Sequence, residues 1–155
     1  MCMGKVLVTI KLTNWSDVIL VNRQVTKRKP RTVEVEALVD TGATRLYLKP
    51  SVIRKLGLVR VDAGAFAHQG NNGNEEVGAR EDARPPSNGV RFKYEPVQLE
   101  LMGRKENFDV IEVPESVPNL LGQVPLDVLD LVVDSKGRKL IPNPAHGGEQ
   151  MTEEY

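Results

Sequence analysis

One carboxylate stands out by its position. Asp40 follows three apolar residues in Ala37-Leu38-Val39-Asp40-Thr41-Gly42-Ala43. An unpaired charge is costly to bury, so a carboxylate here is awkward for a plain core strand. It makes sense where a strand ends in a turn whose backbone donors face the side chain. Gly42 would let that backbone approach closely or take positive φ. The Thr41 hydroxyl suits a hydrogen-bond network that fixes the turn. A carboxyl group held in this way can take or give a proton, which is acid–base chemistry. Asp-Thr-Gly is also a sound turn sequence in its own right, since Asp and Thr bond their own backbone and Gly accepts unusual dihedrals. The triplet alone leaves both readings open.

Other reactive residue types are sparse. His68 and His146 are the two histidines, and both lie in polar, glycine-rich sequence. A metal site normally needs three or four convergent ligands, and neither histidine has a Cys or another His close by, so no metal and no cofactor are expected. Cys2 sits near the chain start without a histidine neighbour and does not read as a nucleophile. The run GNNGNEEVG lacks the preceding strand, the following helix and the Lys-Ser/Thr end of a phosphate-binding loop.

The elements that must position Asp40 read mainly as strands. Lys5 to Leu12 alternates, with Val6, Val8 and Ile10 on one face and Leu7 on the other. Val18 to Val21 is a second short apolar run in this strand-like part. Lys27 to Arg31 is a basic cluster holding a proline, read as a solvated hairpin turn because no aromatic residue interleaves it. Thr32 to Val39 alternates and then turns fully apolar, as a strand does on entering a core. Pro50 to Leu58 predicts a helix of about two turns, with Pro50 in the first turn and Gly57 as its stop. From Asp62 to Arg91 the pattern dissolves into five glycines, four asparagines and two adjacent prolines. So long a patternless stretch points to a functional loop or disorder. Order returns with Val97, Leu99 and Leu101, a turn at Met102 to Lys105, and a partner strand from Phe108 to Val113. Pro118 to Gly122 is a short apolar strand stopped by glycine, and Pro125 to Leu129 a helical turn. Leu131 to Val133 and Lys139 to Ile141 flank a hairpin signal. The tail 142–155 is polar and breaker-rich.

Composition bounds the class. The chain has 155 residues, 21 basic and 21 acidic side chains, and one cysteine. The length predicts one domain over 1–155 with a core of its own. Zero net charge and a pI near 6.7 argue against a general nucleic-acid or anionic-membrane partner. One cysteine fits a reducing compartment, no secretory signal is visible, and no apolar stretch approaches a membrane span. The expectation is a cytoplasmic globular protein.

Taken together, these motifs resemble a known family. Asp-Thr-Gly-Ala after an apolar strand looks like the active-site loop of the retropepsin-like (retroviral-type, single-lobed) aspartic proteases. The helix-like SVIRKLGL follows it, and the hairpin VQLELMGRKENFDVIEV lies downstream. Leu120-Leu121-Gly122 leading to Pro125-Leu126 resembles the second motif that these enzymes set beside the catalytic loop. The resemblance covers about Val33 to Val61 and Glu95 to Leu131. It implies a mainly β, closed-barrel fold with one or two short helices. It also implies peptide hydrolysis by two aspartates facing one water. Like charges about 3 Å apart cannot both ionise cheaply, so such a pair shares a proton.

This chain is too short for two such lobes. Val61-Asp62-Ala63-Gly64-Ala65 mimics the motif but lacks the hydroxyl and the apolar lead-in. The second aspartate is therefore expected to be Asp40 of another subunit across a two-fold axis. The resemblance assigns Thr41 a bond across that axis, with a local turn hydroxyl as the alternative. It has Gly42 presenting its carbonyl to an extended peptide or protein substrate, and Ala43 leaving space at the cleft wall. Leu121 and Gly122 pack under the loop, although Gly122 also reads as an ordinary strand-ending turn. The family closes its cleft with a glycine-tipped hairpin, and that place falls to 62–91, where Gly70, Gly73 and Gly78 are available for the tip. The resemblance makes Thr44, Leu121, Gly122 and Gln123 the substrate-binding and second-motif residues. On the cleft walls retroviral enzymes often carry an Asp–Arg ion pair at the positions of Thr44 and Gln123, where a neutral hydrogen bond is expected instead. The alternative function is a catalytically impaired module of the same fold that binds peptides or serves assembly.

Overall fold

A computed structural model describes residues 5–61, 91–134, 136 and 138–146. Cys2, His68, the Asp62-Ala63-Gly64 mimic, nearly all of the 62–91 stretch with Gly70, Gly73 and Gly78, and the tail from 147 lie outside the described residues.

Six strands close into a barrel in the order β1-β2-β6-β3-β5-β4. β1 (Leu7–Asn14) pairs antiparallel with β2 (Thr32–Val39) from Leu7↔Leu38 to Thr13↔Thr32. β1 also pairs with β4 (Lys93–Leu101), and β4 forms a hairpin with β5 (Arg104–Glu112). Met102 (φ 53°) and Gly103 (φ 78°) make that turn, so Arg104 and Lys105 belong to the strand. Two positive-φ residues in a two-residue loop match the twist of the strands they join. The period-2 alternation sends Ile10, Leu12, Val97, Leu99 and Val110 inward to complete burial, while Leu7 remains half exposed. The fold is mainly β, as the alternation implies. A separate hairpin of β7 (Leu131–Asp134) and β8 (Lys139–Pro142) follows the barrel, then a 3-10 turn at Pro144–His146.

Among the described residues three short α-helices accompany the strands, one more than expected. The addition is α1 (Trp15–Asn22), which takes up the apolar run Val18–Val21. Its cause is Asn14, whose Oδ1 accepts from Asp17 N at 3.0 Å and caps the helix. The same amide donates through Nδ2 to Leu56 O at 2.7 Å, satisfying the last turn of α2 (Pro50–Leu56). A buried capping residue outweighs the β propensity of Val-Ile-Leu-Val. The basic cluster is likewise no hairpin turn. It lies in the loop 23–31 from α1 to β2, where Arg31 donates to Asp17 through Nε and Nη2, both at 2.9 Å. α2 ends at Gly57 in the left-handed conformation, as its sequence predicts. α3 (Gln123–Leu129) starts directly after β6 (Leu120–Leu121).

Candidate active site

β2 and β6 run parallel, with Leu38 opposite Leu120 and Val39 opposite Leu121. The bond Asp40 N to Leu121 O (3.0 Å) carries this pairing one residue past the end of β2. The chain then turns: Ala43 N donates to Asp40 O at 3.0 Å, and Gly42 N donates to Asp40 Oδ1 at 2.9 Å. The carboxylate is therefore oriented by its own turn through one oxygen. Oδ2 has no hydrogen-bond partner among the described residues, and the residue is half-buried. Gly42 serves by close approach, since a Cβ there would stand 3.3 Å from Oδ1. Positive φ is not what it supplies.

The loop rests on the start of α3. Gly122 N donates to Arg45 O (2.9 Å), Gln123 N to Ala43 O (2.9 Å) and Val124 N to Thr44 O (3.0 Å). The first N–H groups of a helix have no partner inside it. Here the Asp40 loop satisfies them, so helix start and loop fix one another. Gly122 is the contact point: a Cβ would come within 2.6 Å of Arg45 O and 2.8 Å of Ala43 O. Its dihedrals are ordinary extended ones (φ −91°, ψ −171°), so lack of a side chain is what the site requires. The packing of Gly122 under the loop is thus the geometry observed. Leu121 is fully buried in the barrel core.

Thr44 and Gln123 do not make the expected hydrogen bond. Gln123 Nε2 donates instead to Asp127 Oδ1 at 2.6 Å, one turn along its own helix. Side chains at i and i+4 face each other on a helix, which gives Gln123 a nearer partner than the loop. The Thr41 hydroxyl is exposed and has no partner among the described residues.

Asn119 is a supporting residue that the sequence reading missed. It is 5% exposed, accepts from Lys49 N through Oδ1 (2.9 Å) and donates through Nδ2 to Glu36 O (3.0 Å). It thereby clamps the approach to β6 against β2 and the end of β3 (Leu46–Leu48). An amide lodged in the apolar run Pro118 to Leu121 was the available signal. The ends of the stretch around 62–90 also meet. Val61 N donates to Lys93 O (2.9 Å), and the Arg60 guanidinium lies 4.0 Å from the Phe92 ring centroid. Tyr94 beside them donates to Glu112 (2.7 Å), and burial pushes its hydroxyl above the ordinary pKa. Among the described residues no group of three or more metal-ligating side chains converges, and no helix is long and apolar enough to cross a membrane.

No protein-family model and no curated protein matches the chain. Solved structures do. The retroviral protease-like domain of Ddi1 from Leishmania major aligns at 16% identity over 89% of each chain, with a TM-score of 0.47. The EIAV protease complexed with an inhibitor aligns at 16% identity over 79% of this chain and 86% of its own, TM-score 0.41. A retropepsin-like aspartic protease from Rickettsia conorii gives 14% over 84% and 85%, TM-score 0.43. The chain is similar to retropepsin-like proteases. At such identities the likeness concerns fold alone, and the chemistry must be argued from the site.

Proposed function

We propose that this chain is one subunit of a homodimeric aspartic endopeptidase. The observation that carries the reading is the half-buried Asp40 carboxylate, held by Gly42 N–H at one oxygen and left open at the other among the described residues. One such group cannot both activate water and polarise a carbonyl. Two of them across a two-fold axis can. The ionised Asp40 takes a proton from the water as its oxygen attacks the peptide carbon. The protonated Asp40 of the second copy donates to the carbonyl oxygen, so the tetrahedral intermediate forms without free hydroxide. Collapse breaks the C–N bond as a proton passes to the leaving nitrogen.

The supporting roles follow from the same arrangement. The exposed Thr41 hydroxyl bonds across the axis to the opposite loop. Gly42 offers its carbonyl to an extended substrate, and Ala43 leaves room at the wall. We assign the whole of 1–155 to this one domain and place its work in the cytoplasm. The test is Asp40→Asn, read by sedimentation and by cleavage of an unfolded protein at mildly acidic pH. A folded dimer without cleavage is expected. Full activity in the variant would sink the hydrolase reading. A wild-type protein that binds peptide without cutting it, matched by the variant, would favour the non-hydrolytic module.

A further inference from the structure

The barrel has a short seam. β3 is three residues long and pairs with β5 in parallel only from Leu46↔Val110 to Leu48↔Glu112. Extending that register backward would set Arg45 beside Asp109 and Thr44 beside Phe108. It is not extended, because the start of α3 has drawn the carbonyls of residues 43–45 to itself. Asn107 and Phe108 therefore have β4 on one side, at Gln98 and Val97, and no paired strand on the other among the described residues. A cavity of about 430 Å³ fills the gap, bounded by residues 44–46, residues 107–109 and the Val124-Pro125 start of α3. Asp40, Thr41 and Gly42 do not line it.

The chemistry of the lining is specific. Leu46 and Pro125 are buried, Phe108 is half-buried and Val124 is 46% exposed, so the floor and one wall are apolar. The Arg45 guanidinium has no ion-pair or hydrogen-bond partner among the described residues, whereas Asp109 is engaged by Lys93 at 3.3 Å. Arg45 is the cation of the lining, and the lining anion Asp109 is held by Lys93. A guanidinium fork matches a carboxylate in two parallel hydrogen bonds. An unpaired strand edge offers main-chain bonds to an extended peptide. The volume lies within the roughly 300–1,000 Å³ of ordinary ligand sites.

We propose that this cleft is a peptide site separate from Asp40, taking the carboxyl-terminal end of an extended polypeptide whose last side chain is apolar. The side chain enters between Phe108 and Val124, the terminal carboxylate meets Arg45, and the backbone lies along residues 107–109. A polyanion would find Asp109 opposed to it, and a neutral apolar molecule would leave Arg45 unused. The proposal does not depend on hydrolysis at Asp40.

The test uses the whole chain and acetylated Ala-Ala-Leu, as the free acid and as the carboxyl-terminal amide. Titration calorimetry gives affinity, and backbone amide NMR shifts give location. The acid is expected to bind at least tenfold more tightly than the amide, with shifts centred on Asn107, Phe108, Asp109 and Val124. Arg45→Gln reduces the preference below twofold, and Val124→Glu weakens the acid through like charge. Equal binding of acid and amide, no binding of either, or shifts centred on Asp40 and Gly42 would each overturn it, with or without the variants.

Discussion

Two aspartates in this protein contrast a carboxylate that keeps one oxygen open with one whose oxygens are both engaged. Asp40 is half-buried, bonded by its own turn at one oxygen and unpartnered at the other among the described residues. Asp130 is 5% exposed, with Asn143 Nδ2 at 3.2 Å from Oδ1 and His146 Nδ1 at 2.6 Å from Oδ2. Its backbone carbonyl also accepts from Arg104 and from Asn143 N. Both follow apolar sequence at the end of an element. The difference is saturation: buried polar groups must be satisfied, whereas a group that handles a proton must keep one oxygen accessible. Asp130 ends α3 in the left-handed conformation and ties the helix to the chain after β8, so its bonds serve architecture.

The largest expected effect tests the open carboxylate. Asp40→Asn should lower peptide cleavage by about 10²–10⁴-fold, the usual scale for losing a positioned acid or base. Thermal unfolding should remain within about 0.5 kcal/mol of the wild type. A large loss of stability would mean that Asp40 is as structural as Asp130. Gly122→Ala comes next. Its Cβ would strike backbone rather than a flexible side chain, so about 1–3 kcal/mol of destabilisation is expected in chemical denaturation, with activity falling because the loop moves. Unchanged stability would break the claim that helix start and loop hold each other.

Asp130→Asn sharpens the contrast from the other side. Asn tolerates the left-handed region and keeps one acceptor oxygen, so the cost comes from the lost charge-assisted bond to His146. About 1–3 kcal/mol of stability should go, with cleavage per folded dimer unchanged. A variant that folds normally but cuts poorly would show that the two regions are coupled.

The smallest effect concerns Asp17. The side-chain hydrogen bond from Arg31 outweighs burial and holds the carboxyl below its ordinary value of 3.8. A folded pKa lower than the unfolded one stabilises the protein above 3.8, and that contribution fades as pH falls through the lower folded value. Asp17→Asn should therefore flatten acid unfolding slightly below pH 3.8 and leave neutral stability within about 1 kcal/mol, since Arg31 is half exposed and screened. Identical acid profiles for variant and wild type would show that the pair adds nothing measurable.

Legibility in the sequence followed the range of the interaction. β2 was readable to its last residue because the apolar alternation and the Asp-Thr-Gly turn are both local. The α2 boundaries were readable for the same reason, from Pro50 and Gly57. α1 was not, because Val-Ile-Leu-Val favours a strand until Asn14 caps it and reaches Leu56 across the fold. Nor was the fate of Gln123, since the Thr44 hydroxyl and the Asp127 carboxylate can both accept from its amide and the geometry of α3 chose Asp127.

By itself the sequence determined that an acidic turn ends an apolar strand, that a second apolar strand ends in glycine, and that alternating segments supply one core. These depend on side-chain period and turn chemistry within a few residues. Only the tertiary structure decided that Gly122 must lack a side chain, that the first amides of α3 carry the Asp40 loop, and that, among the described residues, both Asp130 oxygens are engaged while one of Asp40 is not. Register and close approach between segments about 80 residues apart set the first two outcomes, and the return of the chain after β8 brings Asn143 and His146 to Asp130; no local pattern encodes which donor will meet which acceptor.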